Sequence, residues 1–253
     1  MKKNFNLHKL ISFEKKLFYL FIIFFVSRIF YYKFFDIQFD GWTIDVYWQF
    51  FPKDLLQTDL INSILYNHYQ PPFLNLLVGS LMNFFDNYIL ILNYLYLFFG
   101  FCSFVLIYLI CNRFKFSKNF SFLITTILMI LPTTILYENH LYKEYLTFFF
   151  LTWLFYFTLK IQDEPSSLKN VLNIAFSLSL LCITRETFHI FWGLILILFI
   201  QKNLTFSNKV ILVSIFTIIV LPFYLKNLIL FDKFAINAGS TFEHLSQKID
   251  YVK

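Results

Sequence analysis

Charge is scarce in this chain of 253 residues. Asp, Glu, Lys and Arg together make 14%, against roughly 25% in an ordinary soluble domain. Glycine and proline are scarce too, with five and six residues. Cysteine is limited to Cys102, Cys111 and Cys182. The shortage of charge excludes a cytosolic enzyme, because a composition 58% apolar is more than a water-soluble fold of this size can hide. It also excludes a disordered chain. The cysteines lie in or beside apolar runs at no metal-site spacing, so they read as free thiols rather than a disulfide framework. The few glycines, with Pro132 and Pro222 near the ends of apolar runs, argue against a transporter, whose helices are broken near the membrane midplane. No Gly/Ser linker, low-complexity tail or repeat divides the chain, so a single domain over 1–253 is expected.

What is abundant is apolar and aromatic, with 38 Phe and 16 Tyr. This predicts an integral membrane protein of the all-α class, a polytopic transmembrane helix bundle. Apolar runs at 17–35, 88–110, 120–136, 145–161, 168–184, 187–201 and 210–225 suggest seven spans. The first is followed by no small-residue cleavage site, so it reads as an uncleaved helix. A shorter apolar segment, 71–85, opens on Pro-Pro and reads as an interfacial helix. The segments 1–16, 111–119, 160–169 and 202–209 hold twelve Lys/Arg and only three acids. The positive-inside rule places them, with the N-terminus, on the cytoplasmic side of a cell (inner or plasma) membrane. Had 71–85 crossed, the basic segment 111–119 would lie outside. The net charge of +6 thus reports topology, not nucleic-acid binding.

That topology gathers the other polar residues at the outer edge. The first outer loop, 36–70, holds Asp36, Asp40, Asp45, Asp54, Asp59 and His68. The second reads Tyr137-Glu138-Asn139-His140-Leu141-Tyr142-Lys143-Glu144, and the third carries Arg185, Glu186 and His189. Lys226 and Asn227 close the last span. An ionisable group central in a span costs about 2.5–3.5 kcal/mol, so such groups face a cavity or a partner. Arg28, deep in the first span, is expected to face the bundle.

The block Asp40-Gly-Trp-Thr-Ile-Asp45-Val-Tyr-Trp48, followed by His68-Tyr-Gln-Pro71-Pro72-Phe-Leu-Asn75, resembles the first outer loop of the C-type (GT-C) membrane glycosyltransferases. Protein O-mannosyltransferases and aminoarabinose transferases belong to that superfamily. Shorter pieces are similar as well: Pro132 with Tyr137-Glu138, Arg185-x-x-Phe188-His189-x-x-Trp192, and Pro222-x-x-x-Lys226-Asn227. The resemblance covers about residues 17–240. It implies a lipid-linked donor, a polyprenyl-phosphate sugar, and inverting transfer to an outer-face acceptor in cell-envelope glycosylation. Asp45 is the first choice of general base and Asp40 the second. Arg185, Lys226 and Lys143 would hold the donor phosphate, and His68, Glu138 and His189 would orient acceptor or phosphate. No cofactor is required. Asp40, Asp45 and Glu138 could hold a divalent ion through oxygen ligands, though nothing in their spacing demands one. Members of the group usually carry further helices after the shared module. The expectations are therefore a minimal enzyme, a truncated module, or one half of a split enzyme whose second subunit supplies those helices. The competing expectation is a non-catalytic polytopic subunit or scaffold that binds a lipid-linked sugar.

Overall fold

Long apolar runs become helices here, and prolines and turns set where they stop. The computed structural model describes residues 7–47, 49–200, 202 and 204–237, with side chains from residue 15 onward. Among them are twelve α-helices and no strand: α1 Leu7–Phe35, α2 Thr43–Val46, α3 Lys53–Thr58, α4 Leu60–Tyr66, α5 Pro72–Phe84, α6 Tyr88–Arg113, α7 Lys118–Ile130, α8 Pro132–Asn139, α9 Lys143–Asp163, α10 Leu168–Thr184, α11 Ile190–Ile200 and α12 Phe206–Phe231. The chain is an all-α bundle. Ser117, Ser167 and Thr205 cap α7, α10 and α12 by accepting the backbone N–H three residues on, as short hydroxyl side chains do at helix starts. Lys115, at φ 63°, takes the left-handed conformation that ends α6, the usual geometry just past a helix end.

Three helices, α1 (over Lys15–Phe35), α6 and α12, are long and apolar enough to cross a membrane, and α7 with α8 makes a fourth if the bent pair is one span. This is fewer than the seven runs suggested. The run 187–201 becomes a helix of only 11 residues, about 16 Å at 1.5 Å per residue and too short to cross the hydrocarbon core alone. The 21-residue α9 has the length, but Tyr, Thr and its charged ends make it less apolar than α6 or α12. The run 120–136 is bent by 55° at Pro132. Proline disfavours helical geometry in the residue before it, and Leu131 is extended at ψ 134°. Pro222, by contrast, lies inside α12, which continues to Phe231.

The loops gather at two ends. At one, Arg113 pairs with Asp163 at 2.6 Å, Lys16 donates to Asn119, and Asn208 donates to the Pro165 carbonyl. At the other, Asp40 meets His140, Lys143 meets Glu186, and Lys226 reaches the carbonyls of Ile64 and Asn67. Asp86 and Asn87, just after α5, share a cleft with Gln38 and Asn139. Helix α5 thus starts and finishes at this second end. Its Leu74, Asn75, Val78 and Met82 are buried against the bundle.

Helices α6, α9, α10 and α12 pack closest and enclose Tyr96, Phe150, Leu178, Phe216 and Tyr224. Helix α1 stands outside them and buries Leu20 and Phe24 against Phe104, Tyr108 and Met129. Lipid chains are as apolar as these side chains, so apolar burial alone gives α1 little reason to stay. Its polar contacts supply one.

Candidate functional site

Helix α7 ends before Pro132, which leaves carbonyls without helical donors. Thr134 Oγ1 donates to Leu128 O at 2.9 Å, Arg28 Nη1 to Met129 O at 3.0 Å, and Tyr31 Oη to Ile130 O at 3.2 Å. Two of these three donors come from α1. The break is thereby satisfied inside the bundle, and α8 swings so that Glu138 points inward.

Glu138 is 1% exposed and accepts from Arg28 Nε at 2.8 Å and Nη2 at 2.7 Å, with Tyr145 Oη donating at 2.6 Å. Arg28 also lies 3.7 Å from the centre of the Phe24 ring. Both carboxylate oxygens are therefore spent on the bundle. Glu138 ties α1, α8 and α9 together.

Beyond α8 the chain meets the loop that follows α1. Asp40 N donates to Asn139 O at 2.8 Å, in an isolated parallel bridge between Asp40 and His140. Asp40 Oδ1 accepts from Trp42 N at 2.8 Å, which opens the single turn α2. This is the usual local use of an Asp side chain in a turn. Its Oδ2 remains, 3.7 Å from His140 Nδ1. The 140–142 segment is fixed from below by Gln49 Nε2 donating to Leu141 O at 3.1 Å and Tyr96 Oη donating to Tyr142 O at 3.1 Å. The Tyr142 ring stacks on His140 and leans on Tyr47, with centroids 5.4 and 4.9 Å away. Burial, and then the nearness of Tyr47, Asp40, Glu144 and Tyr137, raises the Tyr142 phenol above its ordinary pKa.

The expected cations stand next to this group, already engaged. Lys143, at the start of α9, is buried and lies 3.1 Å from Glu186 Oε2. Arg185, at the end of α10, lies 3.8 Å from Glu144 Oε1, and both side chains are about a third exposed (33% and 37%). Glu144 also borders a pocket of about 320 Å³ with Thr133, Thr134 and Tyr137.

The remaining expected residues lie elsewhere at the same end. Lys226 donates to the carbonyls of Ile64 and Asn67, where it closes the end of α4. His68 stacks on Phe231 with ring centroids 4.1 Å apart. His189 packs edge-on to Tyr224, whose hydroxyl accepts from Ile190 N at 3.0 Å. Asp45 is exposed on α2. Its charge helps raise the pKa of the Lys53 amine, which is raised chiefly by a hydrogen bond with Tyr88. Among the described residues no three His, Cys, Asp or Glu side chains come together to hold a metal ion, so Asp40, Asp45 and Glu138 form no oxygen cage.

The structure thus brings Asp40, Lys143 and Arg185 toward one neighbourhood through the segment 140–144 and engages Lys226, His68 and His189 elsewhere, while Asp45 stands exposed on α2 between Asp40 and Tyr47. Sequence reasoning passed over His140, Tyr142 and Glu186 as site residues. The one signal for His140 was its place in the polar second outer loop. Comparisons with protein families, with curated proteins and with solved structures return no match.

Proposed function

We propose that the chain is a membrane glycosyltransferase of the GT-C type, which moves a sugar from a polyprenyl-phosphate donor to an acceptor at the outer end of the bundle. The end with Lys16, Arg113 and Lys118 is the cytoplasmic one on this reading. The observation that carries it is the pairing of Asp40 with His140 from loops a hundred residues apart, among three tyrosines and beside Arg185 and Lys143. Asp40 is the better-placed base, since its Oδ2 is left free of the local turn while Asp45 stands out in solvent. An acceptor O–H or N–H passes its proton to Asp40 as its O or N bonds to the anomeric carbon. The bond from that carbon to the phosphate oxygen breaks, and polyprenyl phosphate leaves with the electron pair. A base must lie within hydrogen-bond reach of the proton it takes. Arg185 can meet the leaving phosphate as a planar fork. His140 Nδ1, 3.7 Å from Asp40 Oδ2, would orient the carboxylate.

The test is sugar transfer from a polyprenyl-phosphate donor by purified protein in lipid. Asp40→Asn should lower turnover by about 10²–10⁴-fold with donor binding retained, and Asp45→Asn should leave most activity. The reverse pattern makes Asp45 the base. The carboxylate pairing of both Lys143 and Arg185 favours one second reading, a non-catalytic subunit that binds a lipid-linked sugar. Donor binding without turnover by the wild type would select it.

A further inference from the structure

The bundle is not filled between α1 and α6. A cleft of about 650 Å³ opens there, within the 300–1,000 Å³ range of small-molecule sites. Its walls are Phe25 and Ile29 of α1 and Leu90 and Leu97 of α6, and both helices are long and apolar enough to cross a membrane. Helix α1 packs on α7 and, through Leu20 and Phe24, on Phe104 and Tyr108 of α6; the cleft opens toward the other end of the pair, between the last turns of α1 and the first turns of α6. In a bilayer such a space does not stay empty, because apolar walls without neighbours forfeit their dispersion contacts. Lipid chains are the apolar matter at hand.

One end of the cleft is polar. Gln38, Asn139, Asp86, Asn87 and Asn93 line it. The side chains of Asp86, Asn87 and Asn93 have no hydrogen-bond or ion-pair partner among the described residues. Asn93 lies about one and a half turns into α6, where an unpaired amide is costly. Tyr32 also lines the cleft, and Lys33 Nζ stands 5.6 Å from the centre of its ring. Asp86 thus lines the mouth and Lys33 stands beside the lining Tyr32, above an apolar slot with a hydrogen-bonding collar; Arg28, which also lines the cleft, is already engaged by Glu138. An amphipath with one chain, polar linkages and a head of both charges fits that order.

We propose that this cleft binds a zwitterionic phospholipid with a primary ammonium head. One acyl chain lies between α1 and α6, and Asn93 and Asn87 hydrogen-bond the glycerol-ester region. The ammonium pairs with Asp86, and the phosphate faces Lys33. Phe39 and Asn139, which border the cleft, immediately precede Asp40 and His140, so the bound lipid braces both loops of the candidate site. The lipid site stands on its own geometry and does not depend on the transferase reading.

The test uses the full chain in nanodiscs of equal phosphatidylethanolamine and phosphatidylglycerol. A trace of phosphatidylethanolamine with a photoreactive diazirine in one acyl chain is added. Labelled residues are mapped by mass spectrometry, and retained lipid is counted by native mass spectrometry after detergent extraction. Labels should concentrate on 25–32 and 89–97, and phosphatidylethanolamine should be retained over phosphatidylglycerol. Ile29→Trp, which fills the slot, should remove most of the label. Asp86→Asn should cut the head preference by about two- to fivefold, the scale of an exposed ion pair. Labels spread evenly around the bundle, or equal retention of both lipids by the wild type, would overturn the proposal. Should Ile29→Trp change the elution profile and so misfold, Asp86→Asn at an exposed position still decides. An unchanged head preference in that variant refutes the assignment.

Discussion

Replacing Glu138 by Leu should be among the most damaging single changes in this protein. The carboxylate is 1% exposed and Arg28 is 9% exposed, with two hydrogen bonds of 2.7 and 2.8 Å between them. Removing one partner of a buried ion pair costs about 3–5 kcal/mol, because the other charge is left uncompensated. Arg28→Met should cost less, about 1–3 kcal/mol, because the Glu138 carboxylate keeps the hydrogen bond that Tyr145 donates to it. The double variant Arg28→Met with Glu138→Leu leaves no charge behind. It still orphans Met129 O and Tyr145 Oη. Its cost should therefore fall well below the sum of the two singles, with a coupling of at least about 2 kcal/mol. The measurement is reversible unfolding in mixed micelles by dodecyl sulfate titration, followed by far-UV circular dichroism. Additivity within about 0.5 kcal/mol would refute the pairing and, with it, the account of how α1 is held.

Three further outcomes are expected. A Cβ at Gly100 would fall on the Tyr145 hydroxyl and 2.5 Å from Glu138 Oε2, so Gly100→Ala should destabilise by about 1–3 kcal/mol in the same titration. With the three native cysteines replaced, Asp40→Cys with His140→Cys should form a disulfide on mild oxidation, read by a mobility shift after cleavage between the two positions. Adding Pro132→Ala should abolish it if the bend sets the register. Single cysteines at Thr58 and Asn139 should react with membrane-impermeant reagents, and those at Lys115 and Lys202 only with permeant ones. Labelling of position 115 from outside would reverse the assignment of the two ends.

The apolar runs were legible because a helix in lipid must be apolar and satisfy its own backbone, and both demands show in composition. Where each helix begins was less legible. The run 187–201 looked continuous, yet α11 starts at Ile190. Phe188 N turns back to Arg185 O, and the Tyr224 hydroxyl from α12 accepts the Ile190 N–H. A cap supplied from another helix leaves no local trace. Pro132 was visible in the sequence, but the donors that satisfy its freed carbonyls were not: beside the local Thr134, Arg28 and Tyr31 reach them from α1. Arg28 could be read as needing a partner. That the partner is Glu138, 110 positions away, is a fact of packing. Asp40 and Arg185 were legible as site candidates from residue type and position, whereas His140 entered only once the backbone bridge to Asp40 was known.

On the proposed reading, phosphate binding at this end of the bundle would be governed by competition, because the cations there already have partners. Lys226 is turned to two carbonyls and closes α4, so drawing it to a donor would undo a helix end. Lys143 is 8% exposed against Glu186 at 3.1 Å. Freeing it would strand a carboxylate beside a buried ammonium. Arg185 differs in both respects: its distance to Glu144 is 3.8 Å, and water reaches both groups. Exposed pairs of that kind are worth about 0–1 kcal/mol, whereas a charge-assisted bidentate contact to phosphate is roughly twice as strong as a neutral hydrogen bond. A phosphate arriving beside Tyr142 would therefore take Arg185 from Glu144 at small cost. Glu144 would be released toward the pocket it shares with Tyr137, Thr133 and Thr134. On the proposed reading the resting ion pair keeps the guanidinium oriented at the membrane edge until the donor arrives, and Lys143 and Lys226 serve to hold the frame.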